Sequence, residues 1–246
     1  MKPIEDGGIV GIDGCPGGWI AIAYKNGIWQ DNVFQKIDDL ISNYPDYEYY
    51  LIDIPIGLTD AKVKRNIDSI VRKKLSPVRR SSVFTPPCRE ALSARNYQEA
   101  NQINHEFTGK KISLQTWNIS RKIGEVDNFL MNNRSYLDNF FEAHPELCFE
   151  GLNNGNALAF KKASPRQAGI KERMAILQKL PIEIDEALGW LNKYPRKLVS
   201  PDDLVDALGL CVTGVLGSIS GFELISDEIP HDSEQIPIRL IYFNGH

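Results

Sequence analysis

Lys25-Asn26-Gly27 is the feature that most constrains this chain. An Asn-Gly pair between two β-forming runs is the strongest short-range hairpin signal, because the favoured tight turn needs positive φ at both central positions. Residues 19–24 before it and 28–34 after it read as strands. An earlier apolar run, Ile9-Val-Gly-Ile-Asp13, is stopped by Gly14-Cys-Pro-Gly-Gly18. Three strands joined by tight turns make an antiparallel meander. A helix over 37–43 and a fourth apolar strand over 49–54 follow, closed by Pro55 and Gly57. The opening order is therefore β-β-β-α-β.

From 59 to 133 the pattern turns helical and polar, broken by a Pro-rich loop at 76–87. A fifth strand is expected within 140–149, limited by Pro145. Helices are expected over 166–180 and 185–191. A last helix starts with Ser200 as its cap and Pro201 in its first turn. A final strand is expected within 236–243. The class is α/β with a mostly buried central sheet.

Composition narrows the function classes. The 246 residues suit one large domain, or one domain with an insertion. Apolar residues are 42% and charged residues 24%, which argues against disordered, collagenous and membrane classes. The apolar stretch 204–225 carries Asp206 and Glu223, so it reads as a buried helix. The N-terminus shows no apolar leader core. Cys15, Cys88, Cys148 and Cys211 are dispersed and read as buried reduced thiols. These features predict a cytoplasmic protein with no membrane partner.

Four aspartates occupy apolar surroundings. Asp13 ends the first strand and Asp53 lies within Leu-Ile-Asp-Ile. Asp203 and Asp206 sit three apart, on one face of the last helix. A carboxylate so placed costs several kcal/mol unless it is paired or binds a metal. If strands one and four are neighbours, the four acids converge. Such a cluster suits Mg²⁺ or Mn²⁺, and two such ions can hold a phosphodiester for hydrolysis. Plainer readings exist: Asp53 fits a turn cap, and Asp202 and Asp203 suit a helix first turn. Asp206 is the hardest to explain that way.

Glu142-Ala-His144-Pro-Glu146 is a second polar island, with Glu142 a further candidate ligand. His144 is a candidate proton shuttle or phosphate contact, or a satisfied structural histidine. Gly14–Gly18 lacks the phosphate-loop lysine and is followed by a strand, so nucleotide cradling is disfavoured. The net charge of −4 hides an asymmetry. Residues 61–80 carry eight Lys and Arg against Asp68, whereas 200–246 carry eight acids against Arg239. Lys73, Arg79, Arg80 and Arg89 are therefore candidate contacts for a DNA or RNA backbone. At least half of the basic run also fits a solvated helix face.

Several motifs resemble the DUF429 family, a group of bacterial and archaeal proteins predicted to be ribonuclease H-like nucleases. They are Gly11-Ile-Asp-Gly-Cys-Pro-Gly-Gly-Trp19, Ile52-Asp-Ile-Pro-Ile-Gly-Leu58, Ser81-Ser-Val-Phe-Thr-Pro-Pro-Cys-Arg89, Gln115-Thr-Trp-Asn-Ile119, Lys122-Ile-Gly-Glu-Val-Asp127, Glu142-Ala-His-Pro-Glu146 and Asp202-Asp-Leu-Val-Asp-Ala207. The resemblance implies a ribonuclease H-like five-stranded mixed sheet in order 3-2-1-4-5, flanked by helices. The length and the helical pattern after strand four predict one domain over 1–246, with a helical insert at roughly 59–135. The resemblance also implies that Asp13, Asp53, Asp203 and Asp206, with Glu142, form the catalytic acids of a Mg²⁺- or Mn²⁺-dependent nuclease. A small-molecule phosphohydrolase or phosphotransferase on the same fold, and a non-catalytic nucleic-acid-binding module, are the alternatives.

Overall fold

A computed structural model describes residues 7–160 and 166–245. The N-terminal residues read above for a leader lie outside that range. In chain order the strands of the main sheet are β1 (Gly8–Cys15), β2 (Gly18–Lys25), β3 (Ile28–Phe34), β4 (Tyr47–Ile52) and β5 (Phe140–Glu142), and β6 (Glu223–Leu224) and β7 (Ile241–Tyr242) form a second, two-stranded sheet. The helices are α1 (Ile37–Asn43), α2 (Ile67–Lys74), α3 (Tyr97–Thr108), α4 (Leu114–Asn132), α5 (Pro145–Leu152), α6 (Arg166–Leu177), α7 (Asp185–Leu188) and α8 (Pro201–Ser220). The chain divides into two compact units. One comprises 1–53, 139–223 and 241–246; the other comprises 54–138 and 224–240. The expected insert, 59–135, falls in the second unit, which also recruits 224–240 from the far end of the sequence.

The first unit holds the five-stranded sheet, in order β3-β2-β1-β4-β5. The β2–β3 turn has positive φ at both Asn26 (52°) and Gly27 (81°), the conformation that an Asn-Gly hairpin demands. β1 runs antiparallel to β2 and parallel to β4, and β4 runs parallel to β5. This is the mixed sheet expected of a ribonuclease H-like chain. β1 is the central strand and is almost wholly buried.

Helix α8 packs along β1. Its start is fixed by a reciprocal capping box between Ser200 and Asp203, with Pro201 in the first turn, where a missing N–H costs nothing. Among the described residues it is long and apolar enough to span a membrane, but 78% of its most apolar window is buried inside the fold, as in a core helix. Gly11 lets the two backbones meet. A Cβ there would lie 2.1 Å from the Ala207 carbonyl oxygen and 2.4 Å from the Cys211 nitrogen. Neither is a flexible side-chain end, so relief requires moving the helix. Gly11→Ala is therefore expected to destabilise the protein by about 2–3 kcal/mol, the upper part of the overpacking range. Chemical denaturation checks this, and an unchanged midpoint would contradict it.

β4 runs two residues earlier than expected, leaving Asp53 just past its end, α6 ends at Leu177, and three further elements differ more from the sequence expectation. The strand expected within 140–149 stops at Glu142, because His144 and Pro145 open helix α5. Pro145 occupies the first helical turn, the position proline suits best. The strand expected within 236–243 shortens to Ile241–Tyr242. Before it, the Asp232 carboxylate accepts from the Glu234 and Ile236 N–H groups and folds that stretch into a turn. Finally, 185–191 divides into α7 and a 3₁₀ turn, Gly189–Asn192.

In the second unit, the buried Arg65 and the half-buried Arg89 organise the loops around α2, α3 and α4. Arg65 grips Asp68 and donates to the carbonyls of Ile56 and Gly57. Arg89 joins Asp127 on α4 to Asp232 in the recruited segment, with Asp60 at 4.0 Å.

Candidate metal centre

The β-sheet register brings the first two acids together. Ile12 pairs with Ile52 across the parallel β1–β4 seam, and the Asp53 N–H donates to the Ile12 carbonyl at 3.1 Å. Asp13 and Asp53 thus follow adjacent paired residues. Ile9 and Leu51 both approach Gly214 of α8, which identifies the sheet face that this helix covers. By strand alternation, Gly11, Asp13 and Asp53 belong to the same face. Asp206 is supplied to it from the second turn of α8.

Asp13, Asp53 and Asp206 each offer a carboxylate oxygen within 4.8 Å of the others. Asp13 and Asp206 are 9% and 4% exposed, and Asp53 is half-buried. The Gly14 N–H donates to Asp13 Oδ1 at 2.7 Å, which fixes that side chain. At such a separation each ionised pair repels by about 3 kcal/mol at an effective dielectric of about 20. A divalent cation among them reverses that cost.

The donor set is all oxygen. Cys148, one turn into α5, lies close enough to Asp53 and Asp206 to feel their charge. Burial, with those two carboxylates, pushes its thiol up to about 12. Burial likewise raises Cys88 to about 11, and it raises Cys211. Among the described residues, the potential ligand atoms that gather within 4.8 Å are all aspartate oxygens, with no thiol among them. Three carboxylates without a thiolate fit a hard ion such as Mg²⁺ or Mn²⁺.

The remaining expected site residues fall outside that 4.8 Å group. Asp203 is half-buried and closes the capping box, its Oδ2 accepting from the Ser200 N–H at 2.9 Å while its own N–H donates to Ser200 Oγ. Asp203 and Asp206 both lie on α8, three residues apart, and the first-turn position gives Asp203 its part in the cap. Glu142 is 7% exposed and pairs with Ile52. That register assigns it to the face shared by Tyr50 and Phe140, whose rings stack, opposite the α8 face. His144 is half-buried and precedes α5 as its N-cap residue.

The basic candidates belong to the second unit. Lys73 and Arg80 are exposed, whereas Arg79 is only 3% exposed. Arg89 is engaged by carboxylates. Its Nε and Nη2 donate to Asp127 at 2.9 and 2.8 Å, and Nη2 also donates to Asp232. Arg89, expected as a phosphate contact, thus has a framework role in the folded chain. The sequence reading missed its three acidic partners. Asp127 closes the Lys122-Ile-Gly-Glu-Val-Asp127 motif as an acid on the buried face of α4, which is the sequence signal for such a partner.

The family model described as a protein of unknown function (DUF429) matches residues 11–218. The chain belongs to the DUF429 family. No curated protein and no solved structure matches it. The DUF429 match takes in all three clustered aspartates, together with Asp203, Glu142, His144 and Arg89.

A buried ion pair joins α5 to α6 in the first unit of this DUF429 chain. Arg173 on α6 donates to Glu146 at 2.7 Å, and its guanidinium lies over the Phe149 ring. It ties α6 to the helix that carries Cys148.

Proposed function

We propose that this protein is a Mg²⁺- or Mn²⁺-dependent nuclease that hydrolyses phosphodiester bonds of nucleic acid. The supporting observation is the convergence of Asp13, Asp53 and Asp206 within 4.8 Å. The three carboxylates would hold the ion from two strand ends and one helix. Rigid elements fix such groups better than loops do. A bound divalent ion supplies a more acidic water and neutralises charge on the phosphate oxygens. The basic surface residues of the second unit, Lys73 and Arg80 among them, favour a polyanionic substrate. Four free, buried cysteines accord with a reducing, cytoplasmic setting.

The test is cleavage of single-stranded, duplex, hybrid and branched substrates with each metal. Wild-type protein should cleave at least one of them in a metal-dependent way, and Asp206→Asn should not. No cleavage beyond that of the variant on every substrate would overturn the proposal.

A further inference from the structure

Two cavities of the second unit share a composition that the acid cluster does not explain. The first is about 250 Å³ and is lined by Phe107, Lys64, Lys110 and Lys111, with Thr59 and Thr85. The second is about 310 Å³ and is lined by Trp117, Arg95, Arg121 and Asn118. Each joins an aromatic ring to cationic side chains, and neither has a carboxylate among its lining residues.

Local structure explains part of this. Lys110 and Lys111 follow the C-terminus of α3, capped by Gly109 with φ 72°, where positive charge is favoured. Arg95 pairs with Glu99 at an exposed position. The rings are not explained that way. Phe107 is 40% exposed on the last turn of α3, and Trp117 on α4 is only half-buried. A large aromatic left exposed beside three exposed lysines gains nothing in the folded chain alone. Arg65, also in the first cavity, is already matched by Asp68, so Lys64, Lys110 and Lys111 carry its net charge.

We propose that this unit binds single-stranded nucleic acid, with bases stacking on Phe107 and Trp117 and phosphates meeting the neighbouring lysines and arginines. The ligand chemistry is a flat aromatic base joined to a phosphate. Single-strand binders combine such stacking platforms with a cationic track. Size favours a strand over an enclosed free nucleotide, since both cavities lie near or below the lower end of the roughly 300–1,000 Å³ range of whole-ligand pockets. In duplex form the bases stack on each other and are closed to these rings.

The experiment is fluorescence-anisotropy titration of the full chain with labelled oligo(dT) and oligo(U) of about 20 nucleotides, longer than a typical single-strand site. It is run in EDTA, and repeated with Asp206→Asn, so that the outcome is independent of the acid cluster. Wild type should bind a single strand more tightly than the matching duplex, and more tightly than AMP. Phe107→Ala should weaken binding by about fivefold or more. The double variant Lys110→Ala/Lys111→Ala should reduce the salt slope of log affinity by about 1.4, that is about 0.7 for each lost single-strand contact. All three side chains are exposed, and circular dichroism melts verify that the variants fold. Failure of wild type to bind, equal binding of duplex, equal binding of AMP, or unchanged binding by both folded variants would each overturn the proposal.

Discussion

Asp206→Asn is expected to abolish saturable Mn²⁺ binding measured by calorimetry, and with it the stabilisation of the protein by the ion. An ion that binds only the folded state at 100 times its Kd stabilises it by about 2.7 kcal/mol. For a chain of this length that raises Tm by about 5–10 °C. Wild type should show that shift with Mn²⁺, and the variant should not. Without metal the variant should melt no lower than wild type, since a neutral amide replaces one of three crowded carboxylates within 4.8 Å. Asp203→Asn is the contrast. It should keep the ion-dependent shift and lose only about 1 kcal/mol, because its carboxylate closes the cap of α8. Equal Mn²⁺ shifts in wild type and Asp206→Asn would remove the metal centre from consideration.

Arg89→Ala should cost about 3–5 kcal/mol, the range for breaking a buried ion pair from one side. The guanidinium side chain is 16% exposed and its partners Asp127 and Asp232 are 5% and 0% exposed, so water cannot replace it. Arg89→Lys should recover only part of the loss, because an ammonium cannot reproduce the two-point contact with Asp127. Urea denaturation of the three proteins reads the order directly; a midpoint for Arg89→Ala equal to wild type would refute the framework role. The same cluster sets an acid limit. Burial alone would raise the Asp60 carboxyl. Hydrogen bonds from the Ser233 side chain and from the Lys62, Val63 and Ser233 N–H groups outweigh it and hold the carboxyl at about 2, below the ordinary 3.8. A folded-state value below the unfolded one means that the contribution is present above about pH 4 and fades as pH falls towards 2. Asp60→Asn should flatten the fall in urea midpoint across that interval.

Much of the first unit was legible because its signals are local. Asn26-Gly27 fixed a turn that needs two positive φ values, and helix 37–43 and the cap at Ser200 were read at their observed positions. Pro145 was ambiguous, since proline interrupts a strand and opens a helix equally well. Only the packing of α5 chose between them. For the same reason the strand expected near the C-terminus shrank. Its residues 232–236 answer to hydrogen bonds that the Asp232 carboxylate accepts, and that carboxylate in turn answers to Arg89, over a hundred residues away in sequence.

The sequence by itself determined the meander, the fourth strand and the presence of acids in apolar surroundings, since alternation, turn chemistry and charge are properties of neighbouring residues. Only the tertiary structure decided which acids meet. Asp13 and Asp53 converge because β1 and β4 are parallel neighbours, and Asp206 reaches them because Gly11 lets α8 lie against β1. Asp203 and Glu142 carry the same charge at plausible spacings, yet one caps a helix and the other alternates to the opposite face. Spacing along a chain sets what can share a surface. Pairing register and backbone approach set what does.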